Sequence, residues 1–294
     1  SWPYSHFAQW ASGTKFVTVS APDMHQTDLG DHGDSADVND LRSLCIDLAV
    51  SAATRAAEGR AQRARLDAET KSSVTDLVTE FDRAAESYIR GRLLSERPRD
   101  GVIGEEGVDV PNTSGLTWIV DPIDGTTNFV FGLPAWGCSI AVTQGDTILA
   151  GAVHLPALEE TYSAASGKGA SLNGNNLTSS QSTSLHTALV ATGFAYDSRR
   201  RSQQGTLVAK LLPQIRDIRR SGSAAYDLCC VAAGTVDAYY EHGLSIWDIA
   251  AGVLIAREAG AKVEFTPDSA TTDITVVASA SPIFESLRSA VAAG

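Results

Sequence analysis

The sequence predicts a mixed α/β protein, with an α+β first half and an α/β second half. Three observations predict it. Apolar residues recur at helical spacing over 38–60 and 78–96. Short alternating apolar runs then crowd residues 135–165, broken by Gly-Asp and Pro, as in an antiparallel meander. Beyond residue 186, strand-like and helix-like stretches alternate, the pattern of an α/β unit.

The elements follow in order. Residues 1–23 hold Trp2, Tyr4, Phe7, Trp10 and Phe16 but no continuous apolar core of signal-peptide length. Met24 is the only methionine, so native translation is expected to start there. Residues 1–37 read as a leader. Leu41, Leu44, Cys45 and Leu48 mark the first helix, and Phe81, Ala85, Ile89 and Leu93 the second, with acids toward its start. Val102–Gly104 and Leu116–Asp121 read as buried strands. Cys138–Thr143, Thr147–His154 and Thr161–Ala164 form the meander. The polar run Thr178–Ser184 is the best boundary between an N-terminal half, 38–182, and a C-terminal half, 183–294. After it come strand 187–192, helix 201–215, strand 217–220, helix 223–234, strand 236–241, helix 247–259, strand 274–279 and helix 281–292.

The chain has 294 residues, 43% of them hydrophobic and 20% charged, enough to bury a sizeable core. No apolar run approaches the ~20 residues that span a membrane. A formal net charge of −12 argues against nucleic-acid and anionic-membrane partners, which need basic patches. Of the four cysteines, Cys45, Cys138, Cys229 and Cys230, none forms a CxxC pair. They read as buried thiols, consistent with a reducing, cytoplasmic location.

Four segments place carboxylates at the ends of apolar elements. They are Asp76 to Asp82, Glu105-Glu106 after a strand, Asp121-Pro-Ile-Asp124-Gly-Thr-Thr-Asn128 after a strand, and Trp247-Asp248 at a helix start. The third is the most informative. Open α/β sheets place ligands at the carboxyl ends of strands. Pro122 forbids further pairing at its nitrogen, and a tight turn would aim Asp121 and Asp124 at one point. Gly125 can take positive φ, and Thr126 or Thr127 suits a helix N-cap. A helix N-terminus attracts anions. An isolated Glu-Glu is usually solvated, and Glu159-Glu160 is read so. With no Cys or His in these segments, the donors select Mg²⁺ or Mn²⁺ over zinc. Crowded acids relieve their repulsion by binding cations, and paired metals serve in-line displacement.

Gly104-Glu-Glu, Asp121-Pro-Ile-Asp-Gly-Thr-Thr-Asn-Phe-Val and Trp247-Asp-Ile-Ala-Ala-Gly with Glu258-Ala-Gly260 resemble the signatures of the inositol monophosphatase family. Gly222-Ser-Ala-Ala and Asp237-Ala-Tyr-Tyr-Glu241 extend the match over residues ~38–293. The resemblance implies a layered α/β/α/β/α sandwich of the inositol monophosphatase and fructose-1,6-bisphosphatase type, with the site between its halves. It implies two or three Mg²⁺ ions held by Glu105, Glu106, Asp121, the Ile123 carbonyl, Asp124 and Asp248. Glu105 and Thr126 would position a metal-activated water, with Asp82 partnering Thr126. The Gly125 and Thr126 amides would hold phosphate, and Asp124, Ser223, Ala224, Glu241 and Asp248 would line the polyol site. Lys71 and Asp76 match positions near it. A homodimer inhibited by Li⁺ is also implied. Phe131 departs from the pattern, since many relatives carry His or another polar residue there.

The expected activity is hydrolysis of a small polyol monophosphate, inositol-1-phosphate first, without a phosphoenzyme. Histidinol phosphate is the rival substrate, because Glu241 could accept from a hydroxyl or pair with an amine. Bisphosphates are disfavoured by the lack of a second basic cluster. A regulatory protein-binding module is the alternative of a different class. His154, His186 and His242 could be general acids but read better as structural. Arg199 to Arg201 reads as solvent-facing. Arg219-Arg220 remains open between phosphate binding, a dimer contact and plain solvation.

Overall fold

The structure is a computed structural model that describes residues 37–63, 69–70, 77–268, 271 and 273–292. The leader to residue 36, Met24, Lys71 and Asp76 lie outside the described residues. Helix α1 (Val38–Ala61) starts where the Asp37 carboxylate accepts the Asn39 N–H, and it buries Leu41, Cys45, Leu48, Ala52 and Ala56. The short antiparallel pair β1 (Glu69–Thr70) and β2 (Leu77–Val78) precedes α2 (Glu80–Glu96). That helix starts two residues later than the periodicity predicts, because Thr79 is its N-cap.

Seven strands build the first sheet in chain order. They are β3 (Gly101–Gly104), β4 (Leu116–Asp124), β5 (Gly137–Gln144), β6 (Thr147–Leu155), β7 (Glu160–Ala165), β8 (Ala170–Leu172) and β9 (Asn175–Asn176). The predicted meander is its centre, and only β3 and β4 run parallel. Helix α3 (Thr126–Phe131) interrupts the path from β4 to β5. The second sheet has the order β11-β10-β12-β14-β13, from β10 (Leu189–Thr192), β11 (Asp217–Arg219), β12 (Ala238–Leu244), β13 (Lys262–Pro267) and β14 (Ile274–Ser279). Its helices are α4 (Ser198–Leu211), α5 (Ala224–Ala233), α6 (Ile246–Glu258) and α7 (Phe284–Ala292).

Helix α4 begins at Ser198, not 201, because Asp197 caps it, and its α-helical run stops at Leu211 ahead of Pro213. Strand β13 escapes the periodicity because it is an edge strand, only partly buried along its length.

The layering follows from which faces are apolar. Helices α1 and α2 cover one face of the first sheet, with Trp118, Val120, Ile140 and Val142 beneath them. Helices α5 and α6 fill the space between the sheets, where Ile119, Val153, Leu228, Ile249, Tyr239 and Val276 meet. Helices α4 and α7 close the far side over Val190, Tyr240 and Val277. The five layers form the predicted α/β/α/β/α sandwich. Close approach needs small residues: a Cβ on Gly151 of β6 would lie 3.0 Å from the Ala251 Cα of α6. Among the described residues no helix is long and apolar enough to cross a membrane.

Candidate active site

Strand β4 carries Asp121 to the seam between the two sheets. In a regular strand, residues three apart face opposite sides. Here Asp121 pairs with Ser139 and Asp124 with Gly137, so β4 carries one extra residue, a bulge at Pro122 and Ile123. The bulge returns Asp124 to the face of Asp121. A strand bulge, not the expected tight turn, aims the two acids. The Ile123 N–H donates to Asp121 Oδ1 at 3.1 Å and fixes the geometry.

Gly125 follows at φ +90°, a conformation that favours glycine. It is the cap position of α3, so neither Thr126 nor Thr127 is the N-cap that the sequence suggests. Thr126 is the first helical residue. Its hydroxyl lies 3.0 Å from Asp82 Oδ1 and 3.1 Å from the Ile123 carbonyl oxygen.

Two of the site acids double as capping-box residues at helix starts. The Thr79 N–H donates to Asp82 Oδ2 at 2.8 Å, leaving Oδ1 for Thr126. The Ser245 N–H donates to Asp248 Oδ2 at 2.6 Å. The sequence patterns Thr79-x-x-Asp82 and Ser245-x-x-Asp248 carry this signal, although the reading of acids alone passed over Thr79 and Ser245. Asp124 is held by the start of α5, where the Ser223 hydroxyl donates to Oδ2 at 2.5 Å and the Ala225 N–H at 2.8 Å.

These constraints bring Asp121, Asp124 and Asp248 together, with one ligand oxygen of each within 4.8 Å of the others. Asp121 and Asp124 are buried. Burial pushes Asp124 up to about 6, against the pull of Ser223, the Ala225 and Ala224 amides and Arg220. Burial, then the charges of Asp124 and Glu105, push Asp248 well above the usual carboxylate range. Such mutual repulsion is what a divalent cation relieves. The all-oxygen donor set therefore fits a hard metal ion.

Glu105 and Glu106 are not members of this triad, although Glu105 lies within electrostatic reach of Asp248. They sit on a loop pinned by a residue the sequence reading missed. Buried Glu86 accepts the Glu106 N–H at 2.7 Å and pairs with Arg90 at 2.6 Å. A mid-helix Glu-Arg pair looks in sequence like a solvated face. Gly104 and Gly107 leave room for it, since a Cβ on either would meet the Glu86 carboxylate at 2.6 Å.

Glu241 approaches from β12. Its Oε2 accepts the Tyr239 hydroxyl at 2.8 Å and lies 2.0 Å from where a Cβ on Gly193 would sit. Burial pushes it up to about 7, opposed by the Tyr239 hydrogen bond and Arg220. Ser223 and Ala224 stand at the start of α5. Asn128 ties the seam, donating to the Ala135 carbonyl and, at 2.8 Å, to the Ser221 carbonyl. Phe131, the last residue of α3, is 72% exposed.

The other weighed residues fall elsewhere. His154 Nδ1 pairs with Thr161 at 2.9 Å and His242 Nδ1 with Thr275 at 2.8 Å, and burial lowers both imidazoles. All four cysteines are free and buried. Trp247 packs against the central core. Arg201 does not simply face solvent: its guanidinium donates to the Ala195 and Tyr196 carbonyls at 3.2 and 2.6 Å.

Comparison with known proteins agrees with this arrangement. A sequence profile of the inositol monophosphatase family matches residues 38–290. The chain is 45% identical over 269 residues to the Mycobacterium tuberculosis protein named Inositol-1-monophosphatase SuhB, covering 85% of this chain and 93% of that one. The solved structure of Mycobacterium tuberculosis SuhB superposes with a TM-score of 0.76 at 43% identity, covering 88% of this chain and 97% of the other. The Escherichia coli protein named Nus factor SuhB is 42% identical over 205 residues, 68% of this chain and 76% of its own. The chain belongs to the inositol monophosphatase family, a family of metal-dependent phosphoric monoester hydrolases.

Proposed function

We propose that the chain hydrolyses inositol-1-phosphate, or a closely similar polyol monophosphate, with Mg²⁺. The observation that carries this is the convergence of Asp121, Asp124 and Asp248 within 4.8 Å, beside a threonine hydroxyl locked to Asp82. Asp121, Asp124, Asp248, Glu105, Glu106 and the Ile123 carbonyl would hold two or three Mg²⁺ ions, with Mn²⁺ as a substitute. When bound, the ions supply Lewis-acid polarisation and neutralise developing charge.

The chain's own residues do the rest. Thr126 turns its hydroxyl hydrogen toward Asp82 or Ile123, so a lone pair faces the site and accepts a hydrogen bond from the attacking water. Glu105 accepts the second hydrogen bond, takes one proton as the water attacks, and orients the lone pair of that water along the line of attack. The Gly125 and Thr126 amides hold the phosphoryl oxygens. Ser223, Ala224 and Glu241 face the polyol. Ser223 also fixes Asp124, so the α5 start couples substrate position to the metal ligands. Water attacks phosphorus as the ester P–O bond breaks, the proton taken by Glu105 is passed on to the leaving alkoxide, and no side chain becomes phosphorylated.

The test is Mg²⁺-dependent phosphate release over inositol-1-phosphate, histidinol phosphate, fructose-1,6-bisphosphate and a 3′-phosphonucleotide. A lead of about 10² in kcat/KM for inositol-1-phosphate supports the reading. A lead for histidinol phosphate moves the function to that substrate, and no turnover with Mg²⁺ or Mn²⁺ sinks it. Inhibition by Li⁺ and a homodimer by light scattering belong to the same proposal. The name of the Escherichia coli relative favours a second, protein-binding role. Capture of a protein partner by inactive Asp121→Asn would support that role.

A further inference from the structure

The pair Arg219-Arg220 is resolved by its surroundings. Arg219 is exposed and pairs with Asp217 at 2.8 Å on the surface. Arg220 is also exposed, but its guanidinium lies back along the chain. Its Nη1 lies 2.5 Å from where a Cβ on Gly222 would sit, so the guanidinium folds back over Gly222. Gly222 takes φ +98°, and its carbonyl lies 3.2 Å from where a Cβ on Gly125 would sit. The Arg220 loop thus rests directly on the proposed phosphate turn. The next residue, Ser223, holds Asp124.

Three carboxylates share this corner: buried Asp124 and Asp227 and half-buried Glu241. Asp227 is 3% exposed and has no place in the proposed chemistry. Each of the three feels the positive charge of Arg220. Asp227 also feels Glu241 and Asp124, and Ser221 hydrogen-bonds to it. Where they are ionised, these acids would by themselves attract an ammonium group. The Arg220 guanidinium, folded over Gly222 beside the Gly125 turn, offsets that field.

We propose that Arg220 is a specificity-determining residue that admits phosphates of uncharged polyols and turns away phosphates of amino alcohols. The inference rests on the proposed phosphomonoester hydrolysis. An ammonium drawn to these acids also meets the like charge of Arg220, and like charges brought together discriminate strongly.

The experiment compares kcat/KM for inositol-1-phosphate and histidinol phosphate in wild type, Arg220→Gln, Arg220→Lys and Arg219→Gln, all with Mg²⁺. KM rises for both substrates in Arg220→Gln, because attraction for the phosphate weakens. The ratio between them falls about 10- to 100-fold in favour of the amine. Arg220→Lys keeps most of the preference, and Arg219→Gln keeps all of it. In wild type, raising ionic strength narrows the preference, because the repulsion is screened. An active wild type whose ratio is the same in Arg220→Gln overturns the role of Arg220 alone, as does an equal loss in Arg219→Gln. A wild type that hydrolyses neither substrate overturns the hydrolysis on which the inference stands.

Discussion

Strip the divalent ions with a chelator, and the protein should lose stability as pH rises through the weakly acidic range. In the metal-free fold, burial lifts Asp124 from 3.8 to about 6. The folded state therefore binds that proton more tightly than the unfolded chain does. Stability is full below the unfolded pKa and is lost as pH climbs through the folded one. A shift of about two units corresponds to about 3 kcal/mol between pH ~4 and ~6.5. Glu241, Asp227 and Asp248 are raised as well and act in the same direction. For a chain of this size ~3 kcal/mol is roughly 6–12 °C in Tm. The assay is thermal unfolding of chelated wild type and Asp124→Asn across that window. Subtracting the variant removes the titrations that do not depend on Asp124 and leaves its own with those it influences, Asp248, Asp227 and Glu241. The expected result is a gap that opens as pH rises, with the wild type falling below the variant, and that Mg²⁺ closes. A gap that stays flat across the window would refute the reasoning.

Three further outcomes follow from single contacts. Thr126→Val removes the hydroxyl held by Asp82 and Ile123; steady-state kinetics should show kcat down about 10²-fold with KM little changed. Gly193→Ala drives a methyl into the space of the Glu241 carboxylate; that flexible side chain yields, so KM for the polyol phosphate should rise about tenfold while Tm holds. Glu86→Ala strands Arg90 and frees the Glu106 N–H; urea unfolding should show a loss of about 3–5 kcal/mol, with weaker Mg²⁺ activation.

The parts of the fold legible in the sequence were those with one strong periodic signal. Strand β4 reads clearly because Leu116, Trp118 and Val120 face one core while Ile119 faces the other. Its delivery of Asp121 was legible for the same reason. The bulge was not, because bulges carry no composition of their own beyond a proline. Strand β13 was hidden by its partial burial. Asp124 and Asp248 were found as acids, but their supports lie far off in sequence: Asp124 is held by Ser223, 99 residues away. Glu86 was hidden because a glutamate that turns inward is written with the same letter as one that turns outward.

The near-contact between Gly151 and Ala251 makes the site an instrument with a tolerance. Asp248 rides on the first turn of α6, and Asp121 hangs from β4 in the sheet beneath it. The gap between them is set by how thin the joint between helix and sheet can be made. At Gly151 that joint contains hydrogen atoms and little else. A single methyl group added there, remote from the chemistry, would act as a shim. It would lift one jaw of the metal site from the other, and the cost would appear as a change in ion affinity before any change in fold.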